Sequence, residues 1–426
     1  SRGTAASTTA PYPHDKNKLK QPFSATGGLL PDSLPDRQTF VLSSIERLQL
    51  QPRISRVFRK EGSASCARDV ASRLQIWTVS DTTAYSDIGG TSYSLCSLAE
   101  SIRRAGFGKL HVAGLEKVYS DQFWIGLQTK YPSIFGLDPL PARGTRSMLH
   151  YYPMLRWIVL LEAILEEPDD IPILVVDPLD VLFHGSPAAL ASSYCQLQPA
   201  NARGQQVSSE NEKIVIAAER DCYPFSPAND VGNNSDNATE FWGADTLFWF
   251  DVDAGESGRT RIPIHGRRMC SEFQRLISDR AYLNAGGMMG RAKDVRSLLY
   301  TAANWIGQMQ AGSEPWAQPL IYLAVMERVL TNGTDDVIID ADAHIFSNLH
   351  LHPTKAARGI QATALLRAGG ACGCKSDEEV LASDRTSLWP TVLHFNGNGK
   401  RLYSKCRDCL LGEHHMMETC SQSVDV

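Results

Sequence analysis

An α/β domain with a mixed, mostly parallel sheet flanked by helices is the fold class that this sequence predicts, and three observations lead there. Short aliphatic runs of strand length alternate with apolar or amphipathic segments of helix length. The most apolar run, 173–176 (Ile-Leu-Val-Val), has no polar face and reads as a strand buried on both sides. It stops at two carboxylates, Asp177 and Asp180, at the kind of strand end where ligands collect in an open wound sheet.

The elements follow in order. Residues 1–39 are rich in Ser, Thr, Pro, Gly and Lys without hydrophobic period, and 40–72 hold one short helical segment beginning at Phe40. Together 1–72 are expected to form an N-terminal tail or stem, partly disordered. A single main domain is expected over 73–400, and a Cys/His-rich tail over 401–426. Leu74–Val79 is the first strand, Ser94–Arg104 a helix ended by Gly106 and Gly108, and Leu110–Ala113 the next strand. Met154–Glu167 reads as an apolar helix closed by Pro168, which feeds the strand before Asp177. Ser186 and Pro187 supply an N-cap and an N1 proline for a helix over 187–195. Lys213–Ala218 is a buried strand followed by Glu219, and 226–242 a polar insertion. Ala281–Gly290 reads as a strand running into a glycine turn, with Asp294 as N-cap of a helix over Val295–Trp305. Ala317–Leu330 is a helix, and Val337–Ile339 and Thr391–Phe395 are late strands. No internal repeat is visible.

Bulk properties narrow the function classes. Of 426 residues, 43% are hydrophobic and 21% charged, which excludes global disorder. A net charge of −5 leaves no electrostatic footprint for nucleic acid, so no nucleic-acid partner is expected. No apolar stretch reaches about 18 residues, so no membrane span is expected within the chain. It opens with Ser1, which leaves room for a removed signal or anchor. Ten cysteines and three sequons, at Asn233, Asn237 and Asn332, favour an oxidising compartment: the lumen of the endoplasmic reticulum or Golgi, or secretion.

Polar residues terminate strands that a wound sheet would gather: Asp177 and Asp180, Glu219, Asn284 and His394. An isolated D-x-x-D reads more readily as a capped turn with solvated acids, and a lone strand histidine as a hydrogen-bonded core residue. Two buried acids need a partner, however, and carboxylate oxygens suit Mn²⁺ or Mg²⁺. The turn His394-Phe-Asn-Gly-Asn-Gly-Lys400 adds small residues that admit an anion, and a cation to meet it. Asp251-Val-Asp253 is a rival acidic pair, for which a strand-end turn is the preferred account. Walker, G-x-G-x-x-G and G-x-S-x-G motifs are absent. Cys406-x-x-Cys409, His414, His415 and Cys420 could bind zinc, with Cys372 and Cys374 nearby, but disulfides are the preferred account.

These residues resemble a known family. Asp177-Pro-Leu-Asp180 followed by Gly185-Ser-Pro is similar to the metal motif of the glycosyltransferase domain of the procollagen lysyl hydroxylases and related collagen glycosyltransferases. The likeness runs in order along roughly residues 74–400, through Thr78-Val79, Arg156-Trp157, Ala218-Glu219-x-x-Cys222-Tyr223-Pro224, Leu283-Asn284-Ala285-Gly286-Gly287, Asp340 with Ile345-Phe346-x-Asn348-Leu349, and His394-x-Asn396-Gly397-x-x-Lys400. The resemblance implies a GT-A fold, a UDP-sugar donor, a protein or glycan acceptor and Mn²⁺ (or Mg²⁺) held by Asp177, Asp180 and His394. It implies donor contacts at Thr78, Val79, Tyr223, Asn284, Gly286, Asn396, Gly397 and Lys400.

The chain departs from the family in one place. An acidic run precedes a catalytic Gln in the family, whereas here Glu314-Pro-Trp-Ala leads to Gln318. Glu314 and Gln318 are therefore the catalytic candidates. The iron-dependent hydroxylase domain of some members has no counterpart in these residues, so lysine hydroxylation is not expected. The expected activity is hexose transfer, glucose or galactose, from the UDP-sugar. The alternatives are a nucleotide-sugar hydrolase and a catalytically silent glycan- or partner-binding module.

Overall fold

The computed structural model describes residues 63–79, 91–113, 129, 131–134, 155–199, 212–219, 222, 225, 246–253, 259–278, 281–308, 317–332, 336–348 and 390–396, together with 403, 406, 407, 410 and 411. All of them belong to one compact unit, Val41–Val426. The polar insertion expected at 226–242 and most of the segment expected as a stem lie outside the described residues.

The expected α/β architecture is present. Its centre is a six-stranded sheet of β1 (Gln75–Val79), β2 (Leu110–Ala113), β3 (Pro172–Val176), β5 (Ile214–Glu219), β8 (Tyr282–Arg291) and β9 (Val337–Asp340), in the order β2-β1-β3-β8-β5-β9. Parallel pairings join β1 to β2 and β3, and β5 to β9, while β8 alone runs antiparallel to both its neighbours. A small sheet, β10 (Phe346–Asn348), β11 (Val392–His394) and β4 (Val181–Phe183), sits at the end of β3, and β6 (Leu247–Asp253) pairs with β7 (Arg259–His265). The described helices are α1 (Ser63–Arg73), α2 (Thr91–Arg104), α3 (Arg156–Ala163), α4 (Pro187–Leu197), α5 (Gly266–Leu276), α6 (Ala292–Gln308) and α7 (Ala317–Asn332).

All five residues of β3 are buried, as an aliphatic run between two neighbouring strands should be. Local signals set several boundaries. Gly106, at φ +79°, ends α2 in the left-handed region, with Gly106 N–H donating to Arg103 O and Phe107 N–H to Ile102 O. Ser186 Oγ accepts the Ala189 N–H at 3.2 Å and Pro187 opens α4.

Other expectations need correction. The glycines of Leu283-Asn-Ala-Gly-Gly do not end a strand in a turn: β8 continues through them to Arg291, with a bulge against β5 where the pairing jumps from Ile216–Met288 to Ala217–Asn284. Asp294 is not an N-cap, because α6 begins at Ala292. The first N–H groups of α6 instead donate to the loop before β3, Ala292 to Ile171 O at 2.8 Å and Lys293 to Asp169 O at 3.1 Å. Helix α3 gives way to turns after Ala163, earlier than expected, and Arg296 of α6 takes up the carbonyls of Ile164 and Glu167 at 3.0 and 2.6 Å. Asp251 lies inside β6, not at a strand-end turn, and pairs across the hairpin with Arg261 at 3.1 Å in an exposed position.

Disulfides join Cys66 of α1 to Cys195 of α4, and Cys222, just after β5, to Cys270 of α5. Cys96 and Cys406 are disulfide-bonded as well, and no cysteine is free among the described residues. Cys406 is therefore unavailable as a zinc thiolate. At the end of the sheet away from β4, Arg291 closes β8 by donating two hydrogen bonds to Glu212 (2.6 and 2.7 Å), one to Asp69 of α1 (3.1 Å) and one to Asp170 O (2.8 Å).

Candidate metal centre

The turn after β3 is built by short-range bonds. Asp177 N–H donates to Gly286 O at 3.0 Å, which holds the turn against the bulge of β8. Asp177 Oδ1 accepts the Leu179 N–H at 3.1 Å, a local Asx-type closure. Phe395 N–H donates to Asp180 O at 2.8 Å, so the start of β4 and the end of β11 are sewn together there. His394, the last residue of β11, pairs in register with Val181 of β4 and Asn348 of β10.

These bonds gather Asp177, Asp180 and His394, one ligand atom of each lying within 4.8 Å of the others. Asp180 and His394 are 5% and 4% exposed, and His394 Nε2 stands 3.1 Å from Asp180 Oδ1. Burial alone would pull the His394 pKa down. The charge and hydrogen bond of Asp180, with Asp177 and Glu219 behind it, reverse that and hold it above its ordinary 6.5. Two carboxylates and an imidazole, converging at the carboxyl end of a central strand, form a donor set that fits a hard or borderline divalent cation. Arg156 Nη1 stands 3.5 Å from Asp177 Oδ2, and the Arg156 guanidinium lies over the Trp157 ring at 4.5 Å. Trp157 in turn donates to Ala317 O at 2.6 Å, anchoring the start of α7.

Gly286 is what lets His394 reach this position. A Cβ on residue 286 would stand 2.2 Å from His394 Cε1, and one on Gly287 would stand 2.6 Å from Phe346 Cδ1.

Beside the three ligands lies a cluster of amides around Glu219, the last residue of β5 and 6% exposed. Asn284 Nδ2 and Asn396 Nδ2 each donate to Glu219 Oε2 at 2.9 Å, and Gln318 Nε2 donates to Oε1. Asn284 Oδ1 accepts the Gly286 N–H at 2.8 Å, which links the cluster to the bulge under His394. Burial pushes the Glu219 pKa up to about 8, against the hydrogen bonds from Asn284 and Gln318, the charge of His394 and the hydrogen bond from Asn396.

The sequence-derived candidates thus divide. Asp177, Asp180 and His394 come together, and Asn284, Gly286, Gln318 and Asn396 meet around Glu219 beside them. Thr78 is fully buried, its hydroxyl donating to Val176 O at 2.9 Å, and Val79 ends β1 next to it. Tyr223, Glu314, Gly397 and Lys400 lie outside the described residues. Sequence reasoning noticed Glu219 as a strand terminator without foreseeing its role as the hub. The available signal was a carboxylate closing the apolar run of β5.

The chain matches no family model, and no curated protein sequence matches it. Among solved structures it is similar to a crystal structure of galactosyltransferase LgtC in complex with donor and acceptor sugar analogs. The TM-score is 0.38 and the identity 14%, over 83% of this chain and 97% of that one.

Proposed function

We propose that the chain is a metal-dependent glycosyltransferase of GT-A type, related to the collagen glycosyltransferases, that moves glucose or galactose from a UDP-sugar to a protein or glycan acceptor. One observation carries this reading. Asp177 and Asp180 from the β3–β4 turn and His394 from β11 converge at the carboxyl end of a central strand, far apart in sequence and within 4.8 Å in space. The ordered run of family-like motifs supports it, and so does the amide cluster beside the three ligands.

Asp177, Asp180 and His394 would hold Mn²⁺ or Mg²⁺. Such an ion, when bound, supplies Lewis-acid stabilisation of the diphosphate leaving group. Asp177 is kept in place by its own turn and by Arg156, so the anionic ligand is oriented before any donor arrives. Asn284, Gln318 and Asn396 are held by Glu219 at fixed positions beside the three ligands. In the reaction the bond from the anomeric carbon to the diphosphate breaks and UDP leaves with the electron pair, while the acceptor oxygen bonds to that carbon and its hydroxyl proton passes to the departing diphosphate or to solvent. The disulfides support placing the enzyme in the secretory lumen or outside the cell.

The test is UDP release from a panel of UDP-hexoses with and without Mn²⁺, followed by mass spectrometry of candidate acceptors. Asp180→Asn is expected to lower the Mn²⁺-dependent rate by about 10²-fold or more. Release that needs no metal, or an Asp180→Asn variant as fast as wild type, sinks the reading. Release without transfer to any acceptor turns it into the hydrolase.

A further inference from the structure

The third ligand of the centre has a second ring nitrogen, and the fold does not visibly occupy it. His394 turns Nε2 toward Asp180 at 3.1 Å and leaves Nδ1 buried without a hydrogen-bond partner. A histidine that ligates a metal through one nitrogen almost always donates the other N–H to an acceptor, which fixes tautomer and ring orientation. The neighbouring strand supplies such an acceptor. Asn348 is the register partner of His394 in the parallel β10–β11 pair, so both side chains leave the same face of the small sheet. Both polar atoms of the Asn348 amide, Oδ1 and Nδ2, are themselves buried and unpartnered. Orphaned polar groups are rare in protein interiors, and these two are neighbours.

We infer that Asn348 is a positioning residue for the metal centre: its Oδ1 accepts the His394 Nδ1–H, directly or through one water, and so keeps Nε2 turned toward the cation. This rests on the metal-centre reading given above. Asn396 Oδ1 is the rival acceptor, being buried and unpartnered too. Its amide is already tethered to Glu219, however, and it lies beyond β11 with no register partner on β10. Asn348 has neither restraint.

Mn²⁺ binding, read by electron paramagnetic resonance of the free ion, separates the outcomes. Asn348→Leu is expected to weaken Mn²⁺ binding by about 10–100-fold. Its thermal midpoint should hold or rise, because a buried unpaired amide is replaced by an apolar group of similar shape. Asn348→Asp keeps an acceptor and is expected to bind at least as tightly as wild type. Wild-type affinity in Asn348→Leu overturns the inference and leaves the metal centre standing. Absence of Mn²⁺ binding by wild type, or unchanged binding by Asp180→Asn, overturns both. A crystal structure of Mn²⁺-loaded wild type decides without any variant: a bond or a single water between Nδ1 and Asn348 Oδ1 sustains the inference, and Nδ1 donating to Asn396 or elsewhere ends it.

Discussion

Glu219 is a carboxyl that three amides hold and that water barely reaches. Its folded pKa, about 8, lies above the ordinary 4.5, so the native protein keeps a proton that the unfolded chain gives up. The associated stability is fully present below about 4.5 and is lost as pH rises through about 8. Glu219→Gln carries no such proton. Unfolding free energies of the two proteins from urea titrations should therefore diverge in the variant's favour as pH climbs through that window, by a few kcal/mol at most. Parallel pH profiles would remove the titration from Glu219. The single residues of this centre were unevenly legible. Asp177, Asp180 and His394 could be picked out because acids and a histidine at strand ends are unusual residue types in a recognisable place. The hub at Glu219 could not, because its meaning comes from partners on β8, α7 and the end of β11 that only the fold brings together.

At the scale of elements, the boundaries set by neighbouring residues were readable, and those set by distant ones were not. Gly106 and Ser186 act within a few residues of themselves, so the end of α2 and the start of α4 fall where the sequence puts them. The glycines of β8 read as a turn because the groups that require them, His394 and Phe346, stand far along the chain. The hairpin partner of β6 escaped notice for a similar reason: β7 carries Pro263, which argues against a strand until its pairing with Trp249 is seen. The strongest test at this scale is Arg291, the 4% exposed side chain that binds the end of β8 to Glu212 and α1. Arg291→Leu leaves Glu212 buried without its partner and is expected to cost about 3–5 kcal/mol in chemical denaturation. Its Mn²⁺ affinity should stay near wild type, since Arg291 bonds nothing in the metal centre. A variant as stable as wild type would show that the network is incidental.

For the whole molecule, covalent cross-links matter as much as the core. Cys66 and Cys195 stand 129 residues apart in sequence and are joined across α1 and α4. Closing so long a loop restricts the unfolded chain, an effect worth about 5 kcal/mol in the entropic account. Cys66→Ser paired with Cys195→Ser is expected to lower the thermal midpoint by many degrees, with the fold retained at low temperature; calorimetry checks this, and an unchanged midpoint would mean that the packing alone suffices. No helix among the described residues is long and apolar enough to cross a membrane.

β8 also works as a ruler. One end of it, at Asn284 and Gly286, touches the amide cluster and the turn that carries Asp177, and the other end, at Arg291, is pinned to Glu212 and Asp69. Both ends are fixed, so what the strand transmits is a count of residues. A substitution between them can be absorbed by repacking. An insertion or deletion of one residue cannot, because it would shift the strand's alternation and force either the anchor or the bulge to let go. In any divergent copy of this chain, the length of the stretch from Asn284 to Arg291 should drift more slowly than its letters.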